Sequence, residues 1–321
     1  MIVGPLSFRR VLPSLIRPAL LFAFCAFLAT GTHFILFHPD AWHLRPDIPN
    51  EIRRLLGWYR NGVPFEANAA LGSALAIFLG FRNNFAYDRW WEARKIWGAL
   101  VNDSRSWCRQ VLAWVGRAAE DPERAAPLRA ELVHRHLAFV HGLGMHLRND
   151  SRLAQSIQRF LPADENYEHV PNVPTALLIR QGEEIATAQR HGLLDSFHQL
   201  AMDGILTRLS DIQGKCERIK NTPLPRQYDA IPRWFVYVYC CFLPFGLVEN
   251  LGWATVVVCV IISTLFLLLE SAGRVIEDPF ETHPQDTPMT ALSVTIERDL
   301  RFALSEPLPE SLTPDETGVL M

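Results

Sequence analysis

The sequence is short of charge. Asp, Glu, Lys and Arg make up 20% of its 321 residues, and the formal net charge is only −3. A balance so near neutral leaves no basic footprint for nucleic acid. Complete catalytic patterns are missing as well: there is no G-x-x-x-x-G-K, no G-x-S-x-G and no H-E-x-x-H, so nothing marks an enzyme. The six cysteines, Cys25, Cys108, Cys216, Cys240, Cys241 and Cys259, form no C-x-x-C pair and read as buried free thiols. Glu131 and His134 make one E-x-x-H, half of a di-iron site without its second half. His134, His136, His141 and His146 share no consistent ligand spacing. No metal and no cofactor is expected. Strand-like alternation is scarce, which leaves helices. No internal repeat or pair of broken spans suggests a transporter.

What the chain does have is apolar residues, 49% of the total, with nine Trp and nineteen Phe, and they are segregated. Residues 18–37 carry no charge and are long enough, at about 20 residues, for a helix to cross hydrocarbon. Arg9, Arg10 and Arg17 precede them. A signal peptide has a basic lead-in of this kind, but its apolar part is shorter and further spans follow here, so a retained first span is expected. Residues 64–81 are moderately apolar and rich in Ala and Gly; taken alone they would also suit a buried soluble helix. Residues 234–248 and 251–269 lack charge and are separated only by Glu249 and Asn250. They read as a membrane hairpin turning at that pair, with Pro244 and Gly246 kinking its first arm.

Lys and Arg near span ends set orientation. Arg9, Arg10 and Arg17 lie before the first span, Arg82, Arg89, Arg94 and Lys95 after the second, Arg226 and Arg233 before the third, and Arg274 after the fourth. With four spans all of these fall on one side. The loop 38–63 goes against the rule with Arg45, Arg53, Arg54 and Arg60, softened by Asp40, Asp47 and Glu51. The resulting organisation is a membrane part over 1–97 with spans near 18–37 and 64–81, a cytoplasmic helical region over 98–230, a transmembrane hairpin over 231–270, and a cytoplasmic segment and tail over 271–321. Both termini are placed in the cytoplasm. Leu200, Ile205, Leu206, Leu209, Ile212 and Ile219 recur at three-to-four spacing, which predicts an amphipathic helix. Pro162, Pro171 and Pro174 mark a loop, Pro223 and Pro225 end a helix, and the tail from Glu306, with Pro307, Pro309 and Pro314, reads as polar and mobile.

The sharpest feature is "FLGFRNNFAYDRWWEARKIWG", 78–98. From Ala67 to Phe81 no residue is charged; then come Arg82, Asp88, Arg89, Glu92, Arg94 and Lys95. As a helix, Glu66, Ala70, Ser73, Ile77 and Phe81 share one face, and Asn84 extends it. An acid, then small residues, then two bulky apolar groups would be odd against lipid but suit a water path with an apolar constriction, which gates by dewetting. The plain alternative is helix packing through Ala70, Ser73 and Ala74.

This stretch resembles the hallmark of the bestrophin family, above all its bacterial members, and the likeness continues at "CERIKNTPLPRQY" (216–228) and "EDPFETHPQDTPMTALSVTIERDL" (277–300). The resemblance implies an all-α membrane protein: a homo-pentamer with four membrane segments per protomer and a large helical cytoplasmic region, in the bacterial inner membrane. Its axial pore would have a neck at Ser73, Ile77 and Phe81, where Ser73 departs from the bulky apolar residue usual in the family. Leu200 lies in the helix roughly matching a second, cytoplasmic aperture. Trp90, Trp91 and Trp97 are expected to pack at the interface and between subunits, and Arg82, Asn83 and Asn84 to meet ions or headgroups at the inner exit. Animal bestrophins bind calcium after "DPF"; only Glu281 and Asp286 remain acidic there, too few for six to eight oxygens, so calcium independence is expected. Glu66, two turns above Ser73, would ring the outer mouth and lean selectivity toward monovalent cations. A chloride or other anion channel of the same fold, and a non-conducting membrane scaffold, remain the alternatives.

Overall fold

A computed structural model of the chain describes residues 8–37, 64–117 and 125–314, with side chains given from residue 16 and excepting 226–229. The side chains of Arg9, Arg10 and Arg226, the loop 38–63 and the end of the tail lie outside what the structure describes. Among the described residues the chain is all-helical, with no strand. Its helices are α1 (Phe8–Phe37), α2 (Phe65–Trp114), α3 (Ala126–Leu147), the short α4 (Leu153–Ile157), α5 (Val173–Arg190), α6 (Ser196–Asn221), α7 (Arg226–Leu251), α8 (Ala254–Ile276) and α9 (Met289–Ala303). They form two compact units. One takes Leu6–Tyr87 and Leu224–Glu277, the other Asp88–Pro223 and the chain from Asp278.

In the first unit α1, α7 and α8 pack pairwise on one another. Among the described residues three helices there are long and apolar enough to cross a membrane: Ile16–Ile35, Ala230–Leu251 and Ala254–Ile276. The apolar side chains of this unit, those at the start of α2 included, divide between buried and outward-facing. Phe22, Leu75, Leu79, Val236, Cys240 and Leu267 make one buried cluster, and Ala26, Leu243, Leu247 and Cys259 another; Leu20, Phe24, Phe27, Val257, Ile261 and Leu265 face outward. In water such a surface would be an aggregation liability; in hydrocarbon it is the ordinary outer face of a span. The hairpin turns later than Glu249 and Asn250. Helix α7 runs through them to Leu251, and Gly252, at φ +54°, closes it with its N–H on the Val248 carbonyl at 2.9 Å. A polar pair can continue a helix, whereas the left-handed residue that stops one is most often glycine.

The second unit is built around α3. Leu132, Val133, Leu137, Phe139, Val140 and Leu143 are buried on several sides of it, with α5, α6 and α9 packed against it. Trp97 and Trp107 of α2 complete the core. Trp97 is fully buried within its own protomer. This corrects the expectation that it packs between subunits: on one helical face with Ala93 and Leu100, it lies on the α2 side that meets the core. On α6, Ile205, Leu206, Leu209, Ile212 and Ile219 are buried as their spacing predicts, but Leu200 is not. Asn172 and Asp195 cap α5 and α6, their side chains accepting from Thr175 N at 3.1 Å and His198 N at 2.9 Å, which satisfies N–H groups the helix leaves unpaired.

Helix α2 contributes to both units. Its 50 residues at 1.5 Å each make about 75 Å of continuous helix. The abrupt arrival of charge at Arg82 does not interrupt it. Gly80, Asn83 and Asn84 are weak helix formers, so packing and the partners found by Arg82, Arg89 and Glu92 carry the helix across.

Candidate ion pathway

The face of α2 singled out from the sequence is an exposed one. Glu66, Ala70, Ser73, Ile77, Phe81 and Asn84 are all exposed on the isolated chain, while Asn68, Gly72, Leu75, Leu79, Arg82 and Ala86 on the opposite side are buried. Ile77 is 61% and Phe81 62% exposed. Two bulky apolar groups one turn apart, with no charge from Ala67 to Phe81, form an apolar band that the chain itself leaves uncovered. The Ser73 hydroxyl donates to the Ala69 carbonyl at 2.8 Å, so its proton is committed to the helix and only oxygen lone pairs face outward.

The buried side of α2 fixes how that face is presented. The Asn68 amide donates to the Leu243 carbonyl of α7 at 3.2 Å. Gly246 makes room for it, since a Cβ there would lie 2.3 Å from the Asn68 amide nitrogen and 3.1 Å from its Cβ. At the other end Arg82 is buried, donating to the Glu270 carbonyl at 3.1 Å and to Glu277 at 3.2 Å. Asn83 donates to the Leu269 carbonyl at 2.8 Å. Arg82 and Asn83 therefore bind α8 and are not presented to ions or headgroups, which corrects that expectation. Both turn from the Phe81 face because one residue advances an α-helix by about 100°. Asn84 alone of the three is exposed.

Of the later charges of the stretch, Arg89 and Glu92 have partners, while Asp88 and Lys95 are exposed. Arg89 donates to the Ile219 and Thr222 carbonyls at 2.9 and 2.6 Å and lies 3.8 Å from Asp278; a cation at the end of α6 suits its dipole. Glu92 pairs with Arg218 at 2.6 Å, and the Trp90 indole donates to the Gln285 carbonyl at 2.8 Å. Residues carrying the resemblance thus hold one another: Arg89 and Glu92 reach the 216–228 motif, and Arg82, Arg89 and Trp90 the 277–300 motif.

Leu200 is 72% exposed, near the start of α6. Phe197, one turn earlier, is 87% exposed and was not found from the sequence. Its signal was phase: it falls outside the stripe of Ile205, Leu209 and Ile212. The turn is held by Asp195, whose side chain takes the His198 N–H, and by His198 lying against Trp114, ring centroids 4.5 Å apart. The backbone hydrogen bond from His198 leads the causes that hold the Asp195 carboxylate below its usual range.

The acidic remnants after Asp278 are engaged. Glu281 pairs with Lys220, and Asp286 accepts from the His283 N–H at 2.8 Å. Burial pushes the Asp286 carboxyl above the ordinary range against that hydrogen bond. The E-x-x-H pair diverges, Glu131 binding Arg135 at 2.8 Å and His134 binding Glu306 at 2.8 Å.

The model of bacterial and fungal bestrophin proteins matches residues 6–302 of this chain. The chain belongs to the bestrophin family. Among its relatives is the voltage-dependent anion channel-forming protein RSc3414 of Ralstonia nicotianae, 41% identical over 238 residues, covering 74% of this chain and 76% of the relative. The voltage-dependent anion channel-forming protein YneE of Escherichia coli is 35% identical over 267 residues, covering 81% of this chain and 85% of YneE. Of solved structures, a single-substitution variant of a bacterial bestrophin homolog from Klebsiella pneumoniae superposes with a TM-score of 0.78 at 30% identity, over 91% of this chain and all of that one. This bestrophin is accordingly a membrane protein and not an enzyme.

Proposed function

We propose that this chain is one subunit of a passive, anion-conducting channel, a homo-pentamer of the bacterial inner membrane whose neck is formed by Ser73, Ile77 and Phe81. The observation that carries the reading is the uncharged, exposed α2 face bearing Ile77 and Phe81, in a chain whose relatives are named channel-forming proteins. Five copies turned inward would cover that face and leave a narrow apolar path, the kind that gates by dewetting. The start of α2 then serves as a fourth span beside the three apolar helices. Its Glu66 and Asn68 make it poorer in hydrocarbon than the others, as a pore-facing span can be. The unit containing α1, α7 and α8 is assigned to the membrane. The unit around α3, with both termini, is assigned to the cytoplasm. Leu200, with Phe197 beside it, would narrow the path again, and Asn84 would line the inner exit.

The names of the relatives, anion channel-forming proteins, favour anions. One observation on this chain favours cations instead: Glu66 is exposed on the pore-facing side of α2 while Arg82 is turned away. Calcium independence is part of the proposal, because Glu281 and Asp286 already have partners and are too few for a calcium shell. Recording purified protein in a planar bilayer tests the reading, with the mass of the assembly measured in detergent. A five-subunit mass and currents unchanged between chelator and micromolar calcium are expected. A silent protein would leave a membrane scaffold; a conducting monomer or dimer would end the axial-pore arrangement.

A further inference from the structure

Away from the α2 pore face, the α3-centred unit carries a cavity of about 770 Å³ between α2 and the end of α9. Its floor is apolar: Cys108 and Leu300 are nearly inaccessible, with Leu112 beside them. Burial pushes the Cys108 thiol up to about 11, so the floor is uncharged. Its rim is basic, with Arg105, Arg109 and Arg298 against a single carboxylate, Asp299. Asp299 is occupied by Arg105, at 2.8 Å from Nε and 2.7 Å from Nη2. Arg298 donates to the Pro309 carbonyl, which holds the segment with Leu308 as a wall. Arg109 makes no hydrogen bond or ion pair among the described residues. Two anchored arginines, an exposed and unengaged third, and an apolar floor leave the rim with an excess of positive charge.

We propose that this cavity binds an amphipathic organic anion, its acidic head on Arg109 and its apolar body on Cys108, Leu112 and Leu300. The volume lies within the roughly 300–1,000 Å³ of small-molecule sites. Guanidinium is suited to a planar or tetrahedral oxyanion because it offers paired donors. Inorganic anions would use the rim alone, and neutral apolar molecules the floor alone; the site asks for both in one molecule.

The probe is naphthalene-2-sulfonate, titrated calorimetrically into the detergent-purified full-length assembly against a detergent blank. Naphthalene-2-methanol and sodium sulfate serve as comparison ligands. The parent should bind the sulfonate, Arg109→Gln should weaken it about tenfold, the loss of one charged hydrogen bond, and Ala113→Trp should abolish it by filling the cavity. Melting curves check that both variants fold. If the tryptophan variant does not fold, the exposed Arg109 alone decides. Naphthalene-2-methanol binding as tightly as the sulfonate would overturn the role of the rim, and sulfate binding as tightly would overturn the role of the floor. Equal binding by parent and variants would place the probe elsewhere and overturn the site. A changed assembly mass in Arg109→Gln or Ala113→Trp would make the groove an interface between copies and overturn the ligand.

Discussion

Ile77 and Phe81 are apolar, large and uncovered on the isolated chain, and the neck role proposed for them rests on that size. Truncating both to Ala would widen and wet the proposed neck, whose barrier would be the cost of holding water in an apolar gap. A barrier lower by about 1.4 kcal/mol passes tenfold more current, so the double variant should conduct or open severalfold more in bilayer recordings. A double variant that gates like the parent would move the gate from this band. On the other side of the same helix the limiting dimension is a missing methyl. Gly246→Ala would drive its Cβ to 2.3 Å from the Asn68 amide nitrogen and 3.1 Å from the Asn68 Cβ. The second of these atoms cannot swing aside, so the backbones of α2 and α7 must part. Overpacking of this kind costs about 1–3 kcal/mol. The variant should melt earlier in detergent, and adding Asn68→Ala should recover part of the loss because the two positions are coupled. A double variant less stable than the sum of the two singles would show that the clash is not with Asn68.

At the scale of the helix, α3 is nearly surrounded, and its buried polar groups are where pH acts. The His136 imidazole is within 2.9 Å of the Ser104 hydroxyl, which itself donates to the Leu100 carbonyl at 2.7 Å. Nε2 must therefore carry the proton, leaving Nδ1 buried without a partner. Burial lowers the His136 pKa from 6.5 to about 3. The unfolded chain takes up a proton near 6.5 and the folded one does not, so stability is full above that pH and falls as pH drops toward 3. At 1.36 kcal/mol per pH unit the loss is about 2 kcal/mol by pH 5. The melting temperature should fall between pH 7.5 and pH 5, and His136→Phe should flatten that part of the profile; an unchanged profile would mean that another group sets it. His136 also marks how far the sequence could be read. Periodicity found α6, and charge-free runs found α1, α7 and α8, because burial in hydrocarbon or core leaves a mark on every third or fourth residue. It could not separate Trp97, in the core, from Trp91, on the surface, because both stand in one aromatic run and only tertiary contacts tell them apart. The hairpin turn was misplaced because Glu249 and Asn250 are polar, while the residue that ends α7 is the inconspicuous Gly252.

For the whole molecule, ion choice depends on what five copies would bring together, and no single protomer contains that field. The proposed neck has no charge, so it excludes neither sign strongly. Arg82 cannot tip the balance, since its guanidinium is spent on Glu277 and the Glu270 carbonyl. Glu66 can: as a ring of carboxylates at the outer mouth it would raise the local cation concentration and oppose the anion conduction proposed from the relatives. The field of exposed charges is screened beyond about 10 Å at 0.1 M salt, so its influence grows as salt is lowered. In a sodium chloride gradient the parent should reverse on the chloride side of zero. Glu66→Gln should move it further toward the chloride potential, with the larger shift at lower salt. A parent reversing near the sodium potential, and brought back toward zero by Glu66→Gln, would replace the anion assignment with the cation one and make Glu66 its cause. A sodium-selective parent indifferent to Glu66→Gln would also overturn the anion assignment, and would move the search for its selectivity to Asn84 and to the proposed cytoplasmic narrowing at Phe197 and Leu200, where Ala substitutions in the same gradient would test it.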